Sequence, residues 1–375
     1  MGKKMKTAVI GSGRISVQYL QNMIHVFNNL EVVGCSSSGM ESARKRAAEF
    51  GIRAMTNEEI FADPSIELVI VLVPAPAHYG LIRQALLAGK HVYTEKTMTA
   101  DLEDARELVA LANEKGLYLG SAPDTFLGDA WQTARKALDD GLIGDPISFS
   151  MNVNRNIDFM ASLYEFLRLP GGGFAYDYGV YYLTALISLL GPVESLFSIV
   201  KNKAEIRTNC APQSADFGKP YPYQNESQIY ALMNLRSGVT GTISLDGDSA
   251  LQDLALFYIY GSKGVLKLTC ANDFGGEVTL IPSSFDPEEA KPVILAGDSP
   301  IRDGNRGIGP SEMAAAIAEG RPNRASKEMA FHVMDIIEQL MVSSREQRLI
   351  TLTSTCDRPA AFPTEEILKL MQERR

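Results

Sequence analysis

Between residues 6 and 122 the chain alternates short β-branched runs with helical patterns, and that rhythm limits the fold more than any other feature. The runs are KTAVIGSG, LEVVGCSSS, ELVIVLVP, GKHVYTEK and GLYLGSA. Strands separated by helices line up side by side as a parallel sheet covered on both faces. The stretch ADLEDARELVALANEKG shows the helical half of the unit, with Asp101 near its start, apolar residues at helical spacing and a glycine at its end.

From about residue 147 the pattern changes to PISFSMNVNR, VESLFSIVK, SQIYALMNL, SGVTGTISLDGD, LALFYIYGSKGVLKLT and GEVTLI. Consecutive strands joined by hairpin-like turns imply a mainly antiparallel sheet. Residues 123 to 146 read as a crossing helix ended by Gly141 or Gly144. The runs PSEMAAAIAEG and SKEMAFHVMDIIEQLMVSS are expected to cover one side of the second sheet. The expected division is residues 1–125 and 126–375, an α/β domain followed by an α+β domain. The 375 residues, 45% apolar, suffice for two cores.

Charge and cysteine usage exclude several function classes. A net charge of −9 provides no broad basic surface, so nucleic acid is excluded as a main partner and a small polar ligand fits better. No apolar run approaches the roughly 18 residues of a membrane span. Cys35, Cys210, Cys270 and Cys356 are scattered without metal-ligand spacing, so no metal is expected and the thiols read as reduced. The start MGKKMKTAVIGSG runs straight into a strand, and the expected location is the cytoplasm.

Gly11, Ser12, Gly13, Arg14, Ile15 and Ser16 follow the first strand and open a helix. Backbone N–H groups and the helix dipole at such a start favour a pyrophosphate, and glycines permit its close approach. Ser16 stands where a third glycine would complete the fingerprint. At the end of the second strand, where a carboxylate would bind the ribose of NAD, the chain carries Ser36, Ser37 and Ser38. Hydroxyls without a repelling carboxylate favour NADP over NAD, and Arg44 and Lys45 could add charge.

Taken together, Gly11 to Ser16, VPAPAH (Val73 to His78), AGKHVYTEK (Ala88 to Lys96), GGGFAYDYG and YGSKGVLKL resemble the glucose-fructose oxidoreductase, inositol dehydrogenase and MocA family over nearly the full chain. The resemblance implies a Rossmann doubly wound parallel sheet, then an open, mainly antiparallel sheet covered by helices, through which dimers or tetramers form. It implies that Lys96, after Glu95, sits beside the nicotinamide and substrate, although Thr97 replaces the family's proline and leaves a less rigid turn. A lysine at a parallel strand's carboxyl end, desolvated in the crevice, suits proton transfer. Pro74, His78 and Glu95 are assigned to the cofactor's surroundings.

The segment after Gly171–Gly173 carries the family's aspartate as Asp177, with Tyr181 in place of a histidine four residues later. Asp177, Tyr181, Thr184 and Ser188 fall at helical spacing and read as a polar stripe facing a cavity, with the glycines admitting a ligand. A tyrosine ionises near 10, so Tyr181 needs a nearby cation or acts as a hydrogen-bond donor. Asp124 and Arg155 are candidates for substrate hydroxyls; Tyr182 and His332 read as structural.

The resulting expectation is an enzyme, an NAD(P)-dependent dehydrogenase or reductase acting on a CH–OH group of a sugar, cyclitol or related polyhydroxylated compound. Lys96, Asp177 and Tyr181 are its catalytic candidates. The alternatives are glycoside cleavage or epimerisation through a tightly held, transiently reduced NAD, and an inactive nucleotide-binding sensor.

Overall fold

The computed structural model describes residues 4–250 and 254–371, which divide into two compact units. The first contains residues 4–128, 299–331 and 362–371, the second residues 129–298 and 332–361. The boundary drawn at 125/126 therefore leaves out two returns of the chain to the first unit.

In the first unit β1 (Met5–Ile10), β2 (Leu30–Ser36), β3 (Arg53–Ala54), β4 (Leu68–Val71), β5 (His91–Thr94) and β6 (Leu119–Ser121) form one sheet in the order β3-β2-β1-β4-β5-β6. Every pair is parallel. All four residues of β4 are buried, as a strand covered on both faces requires. With only two residues, β3 is too short to show a period. Helices α1 (Arg14–His25), α2 (Met40–Phe50), α3 (Asn57–Ala62), α4 (His78–Leu87) and α5 (Leu102–Lys115) connect the strands. The Asp101 carboxylate accepts from the Glu103 and Asp104 N–H groups to start α5, and Gly116 in the left-handed region ends it. Strand order reverses between β1 and β4, which opens a crevice at the carboxyl ends of these strands.

The second unit opens with α6 (Asp129–Asp139), which ends at Gly141 with φ of 70°. There follow β7 (Pro146–Asn154), α7 (Ile157–Leu163), α8 (Val180–Leu190), β8 (Val193–Lys201), the small ribbon β9 (Ile206–Thr208) with β10 (Pro220–Pro222), β11 (Gln228–Leu235), β12 (Thr240–Asp246), β13 (Leu254–Gly261), β14 (Gly264–Leu268), β15 (Val278–Pro282), β16 (Val293–Leu295) and β17 (Ile350–Thr351). The large sheet runs β16-β15-β14-β13-β7-β12-β11-β8-β17. Each neighbouring pair is antiparallel except β7 with β12. In β11 the alternation is clean: Ile229, Ala231, Met233 and Leu235 are buried while Tyr230 and Leu232 are exposed. Gly179, at the start of α8, lies so close to Leu245 of β12 that an added Cβ would come within 2.7 Å of its Cδ1. This contact seats α8 on the buried face.

Helix α9 (Ile308–Glu319) corrects an expectation, because it packs with the first unit and not on the second sheet. A Cβ on Gly309 would fall 2.2 Å from the Tyr93 hydroxyl of β5, so the missing side chain lets the helix start lie on the parallel sheet. Helix α10 (Lys327–Glu346) belongs to the second unit from His332 onward, and α11 (Thr364–Leu370) returns to the first.

Gly11 shows how tightly the first crossing is built. Its φ is 111°, and a Cβ there would meet the Leu72 carbonyl oxygen at 2.6 Å. Gly11→Ala should destabilise the protein by about 1–3 kcal/mol through backbone strain, read as a lower denaturation midpoint with an unchanged m-value.

Candidate functional site

The crevice of the first unit gathers most of the residues expected to hold a cofactor. Helix α1 begins at Gly13 with no side-chain cap and no acidic residue in its first turn. The positive dipole end of such a helix start favours an external anion. A Cβ on Gly13 would meet nothing within 4 Å, so the approach is open there. Ser12 Oγ is buried without a hydrogen-bond partner. Ser16 is buried, and its hydroxyl donates to the Gly13 carbonyl at 2.7 Å, bracing the turn from behind. Arg14 is exposed and Ile15 half-buried. These features fit a dinucleotide's pyrophosphate.

Beyond β2, the three serines differ. Ser36 is buried and donates to Asn57 Oδ1 at 2.6 Å, whereas Ser37 is half-buried and Ser38 exposed. The sequence reading missed Arg46 of α2. Its Nη2 lies 3.4 Å from the carbonyl oxygens of both Ser12 and Gly13, and Nη1 pairs with Glu49. A guanidinium thus lies against the phosphate loop on the side where β2 ends.

On the other side of the reversal, His78 is fully buried rather than lining an open surface. Its Nδ1 is 2.7 Å from the Thr97 carbonyl oxygen and its Nε2 is 2.8 Å from that of Val73. The ring therefore ties the loop after β4, with exposed Pro74, to the turn after β5 that carries half-buried Lys96. Burial pushes the imidazole below its ordinary pKa, against the pull of those carbonyls. The Lys96–Thr97 peptide is cis. The turn does not need a proline ring to be tied: Thr97 Oγ1 donates to the Thr99 carbonyl at 2.7 Å, and Glu95 accepts from the Lys96 N–H at 3.1 Å and from the Tyr19 hydroxyl at 2.8 Å.

Asp124 follows β6 and is fully buried. Its carboxylate accepts from the Gly309 N–H at 3.0 Å and lies 3.9 Å from Arg306, within the same unit. Desolvation pushes it up to about 6, partly opposed by Arg306 and that N–H group. Asn22 of α1 donates to the Gly304 and Arg306 carbonyls and so holds this returning segment.

In the second unit Arg155, Asp177 and Tyr181 come from the end of β7 and the start of α8. Residues Ala175–Gly179 form a π turn that runs into α8, a widening often found at functional sites. Asp177 is half-buried, while Tyr181, Thr184 and Ser188 are all buried. The expected polar stripe is therefore covered over most of its length, and the Ser188 hydroxyl turns back to the Ala185 carbonyl. Arg155 stacks its guanidinium 4.4 Å from the Tyr178 ring centroid. Tyr178 and Tyr182 both direct their hydroxyls to Cys270 Sγ, at 3.2 and 3.4 Å. Desolvation above all, with the neighbouring thiol adding to it, raises both phenols.

The glycine triplet does something other than admit a ligand. A Cβ on Gly172 would meet the Phe166 carbonyl oxygen at 2.5 Å, and one on Gly173 would meet the Glu226 carboxylate oxygens. Glu226 was not anticipated, since a single carboxylate before a strand carries no spacing signal. Its carboxyl is pushed up to about 7 by desolvation, opposed by backbone N–H groups including that of Ala175.

His332 sits in a buried chain with Ser354 and Asp335 that has the members of a nucleophile triad but the wrong polarity. Nε2 accepts from the Val193 N–H at 3.0 Å, so Nδ1 carries the proton toward Ser354 Oγ at 2.7 Å. Ser354 in turn donates to Asp335. Because the imidazole cannot accept the serine proton, this is a packing network.

An uncapped helix start at the reversal of a 3-2-1-4-5-6 parallel sheet defines a dinucleotide-binding Rossmann protein. The chain belongs to the Gfo/Idh/MocA oxidoreductase family: residues 5–122 match the model described as "Oxidoreductase family, NAD-binding Rossmann fold", and residues 131–267 the "GFO/IDH/MocA C-terminal domain". It is 30% identical over 206 residues to an uncharacterized oxidoreductase of Schizosaccharomyces pombe, a match covering 54% of this chain and 56% of that protein. The chain thus spans little more than half the length of that curated relative. The scyllo-inositol 2-dehydrogenase (NADP(+)) of Bacillus subtilis is 24% identical over 93% of this chain and 96% of its own. The fold is shared with an NAD binding oxidoreductase from Klebsiella pneumoniae, with a TM-score of 0.80, 18% identity and coverage of 94% of this chain and 99% of the other. Levoglucosan dehydrogenase in complex with NADH and L-sorbose gives a TM-score of 0.80 at 17% identity, covering 94% and 99%.

Because burial lowers the pKa of native His78, the folded protein binds fewer protons there than the unfolded chain as the medium is acidified, and stability is lost as pH falls from the ordinary imidazole value near 6.5 toward the folded value. His78→Asn should melt at a lower temperature than wild type at pH 8 and lose less on acidification from about pH 7 to 5, measured by thermal denaturation.

Proposed function

We propose that this protein is an NAD(P)-dependent dehydrogenase or reductase acting on a CH–OH group of a sugar, cyclitol or related polyhydroxylated compound. The observation that carries the proposal is the conjunction, in one unit, of an open, uncapped dinucleotide-type helix start and the tied Glu95–Lys96 turn at the same end of the parallel sheet. The names of relatives support the substrate class: they include scyllo-inositol 2-dehydrogenases with NADP(+) and with NAD(+), both of Bacillus subtilis.

In this reading Gly11, Ser12, Gly13, Arg14 and Ile15 cradle the pyrophosphate, and Pro74, His78 and Glu95 shape the far end of the cofactor site. When bound, the nicotinamide supplies or takes up the hydride. Lys96 and Tyr181 manage the hydroxyl proton, and Asp177 orients the hydroxyl. Arg155 contributes to substrate recognition. Asp124, fully buried against Gly309 and Arg306, is better read as a brace for the returning segment than as the expected substrate contact.

NADP is favoured over NAD. No carboxylate ends β2, Ser37 and Ser38 are accessible there, and the Arg46 guanidinium lies beside the phosphate loop, where a 2′-phosphate would compete with Glu49 for it. The substrate unit assembles as a homo-oligomer through the open face of its sheet, where Ile199, Tyr230 and Leu232 lie exposed in adjacent strands.

A cofactor-by-substrate screen that follows reduced nicotinamide at 340 nm tests the reading, with scyllo-inositol, myo-inositol, glucose and levoglucosan as probes. Lys96→Ala should lower kcat by at least about 100-fold while cofactor still binds; full turnover in that variant would exclude the assignment. Arg46→Ala should weaken NADPH about 10- to 100-fold with little change for NADH, measured by fluorescence titration. Leu232→Arg should reduce the mass measured by light scattering to that of a smaller assembly.

A further inference from the structure

The π turn that opens α8 is tied to the sheet through Glu226, by its carboxylate and its backbone carbonyl. Glu226 lies two residues before β11, which is bonded to β8 on one side and β12 on the other. Ser227, next to it, donates its N–H to the Lys201 carbonyl at 2.9 Å and its hydroxyl to Asp248 at 2.6 Å. The base of Glu226 is therefore fixed to the sheet.

From that base Glu226 Oε1 accepts from the Ala175 N–H at 2.9 Å, and the Glu226 carbonyl accepts from the Phe174 N–H at 3.3 Å. These two amides immediately precede Tyr176 and Asp177 and open the π turn. The first N–H groups of a helical segment have no partner within it, and a negative group at that end is favoured by its dipole. Gly173 is what allows the reach. A Cβ there would lie 2.0 Å from one Glu226 carboxylate oxygen and 2.1 Å from the other. The Asp177 N–H then bonds to the Gly173 carbonyl at 2.8 Å, so the contact is passed on to the residue that carries the carboxylate.

We infer that Glu226 is a positioning residue for Asp177, anchoring the π turn to the sheet so that the Asp177 carboxylate is presented at one fixed height, an inference that rests on the catalytic reading of Asp177 given above. A glycine at 173 and an acceptor of glutamate length at 226 form a matched pair. Asp177 is thus set through the chain just before it, which Glu226 ties to the sheet.

The test compares Glu226→Gln, which keeps an acceptor oxygen at the same reach, with Glu226→Asp, which keeps the charge but withdraws it by one methylene. Hydrogen exchange of the 174–178 amides is measured together with kcat and KM for scyllo-inositol and the Kd for NADPH. The Asp variant should exchange faster over 174–178 and lose about 10- to 100-fold in kcat, the effect of a small misplacement, with KM and the NADPH Kd changed less than about threefold. The Gln variant should stay within a few-fold of wild type in every measurement. The reverse order, with Asp normal and Gln impaired, or unchanged exchange in the Asp variant, overturns the inference. Asp177→Asn run alongside separates the two claims: if it keeps full kcat, the catalytic reading fails while exchange still decides the anchoring. If wild type turns over no probe, the proposed function falls, and exchange again decides the anchor.

Discussion

The His78 ring, caught between two backbone carbonyls, holds the first unit's crevice in shape. His78 joins the loops that leave β4 and β5, which are neighbours in the sheet but would otherwise diverge once the ladder ends. One of those loops carries Lys96. The helix start at Gly13 comes from β1, on the other side of β4, and is placed by the close approach of Gly11 to Leu72. The cofactor end and the lysine turn are thus held in register through strands and buried contacts, with side chains from α1 and α4 as ties.

The second unit uses the same kind of device with different chemistry. Where the first unit uses a ring between two acceptors, here a carboxylate receives the opening amide of a helical segment. The glycines next to each anchor are clearances. Gly11 leaves room for a carbonyl oxygen, Gly173 for Glu226 and Gly309 for the Tyr93 hydroxyl. In each case the absent side chain lets protein approach protein, and Gly13 alone among the four faces open space.

Buried ionisable groups divide along the same lines. Burial lowers the pKa of both His78 and His332, and both rings are taken up by hydrogen bonds inside the protein. Asp124 and Glu226 are shifted upward by desolvation into the range near 6 and 7, yet each accepts from a backbone N–H and so serves the frame. The perturbed carboxyls and imidazoles named here mark what holds the frame.

The strand–helix rhythm, the change to consecutive strands near residue 147 and the glycine turn at the first crossing were legible in the sequence because each depends on local periodicity or on one backbone angle. The places of Asp177 after its glycines and Lys96 after its strand could also be read along the chain, while their roles remain the proposal made above. Arg46, Glu226 and the buried clamp made by His78 were not legible, because their partners lie 34, 51 and 19 residues away and no spacing rule connects them. The two-residue β3 and the return of 299–331 to the first unit were hidden for the same reason: they depend on which surfaces meet after folding. Sequence determined the kinds of element and the chemistry they carry; tertiary structure decided what each polar side chain touches, since hydrogen bonding and desolvation act between groups that only packing brings together.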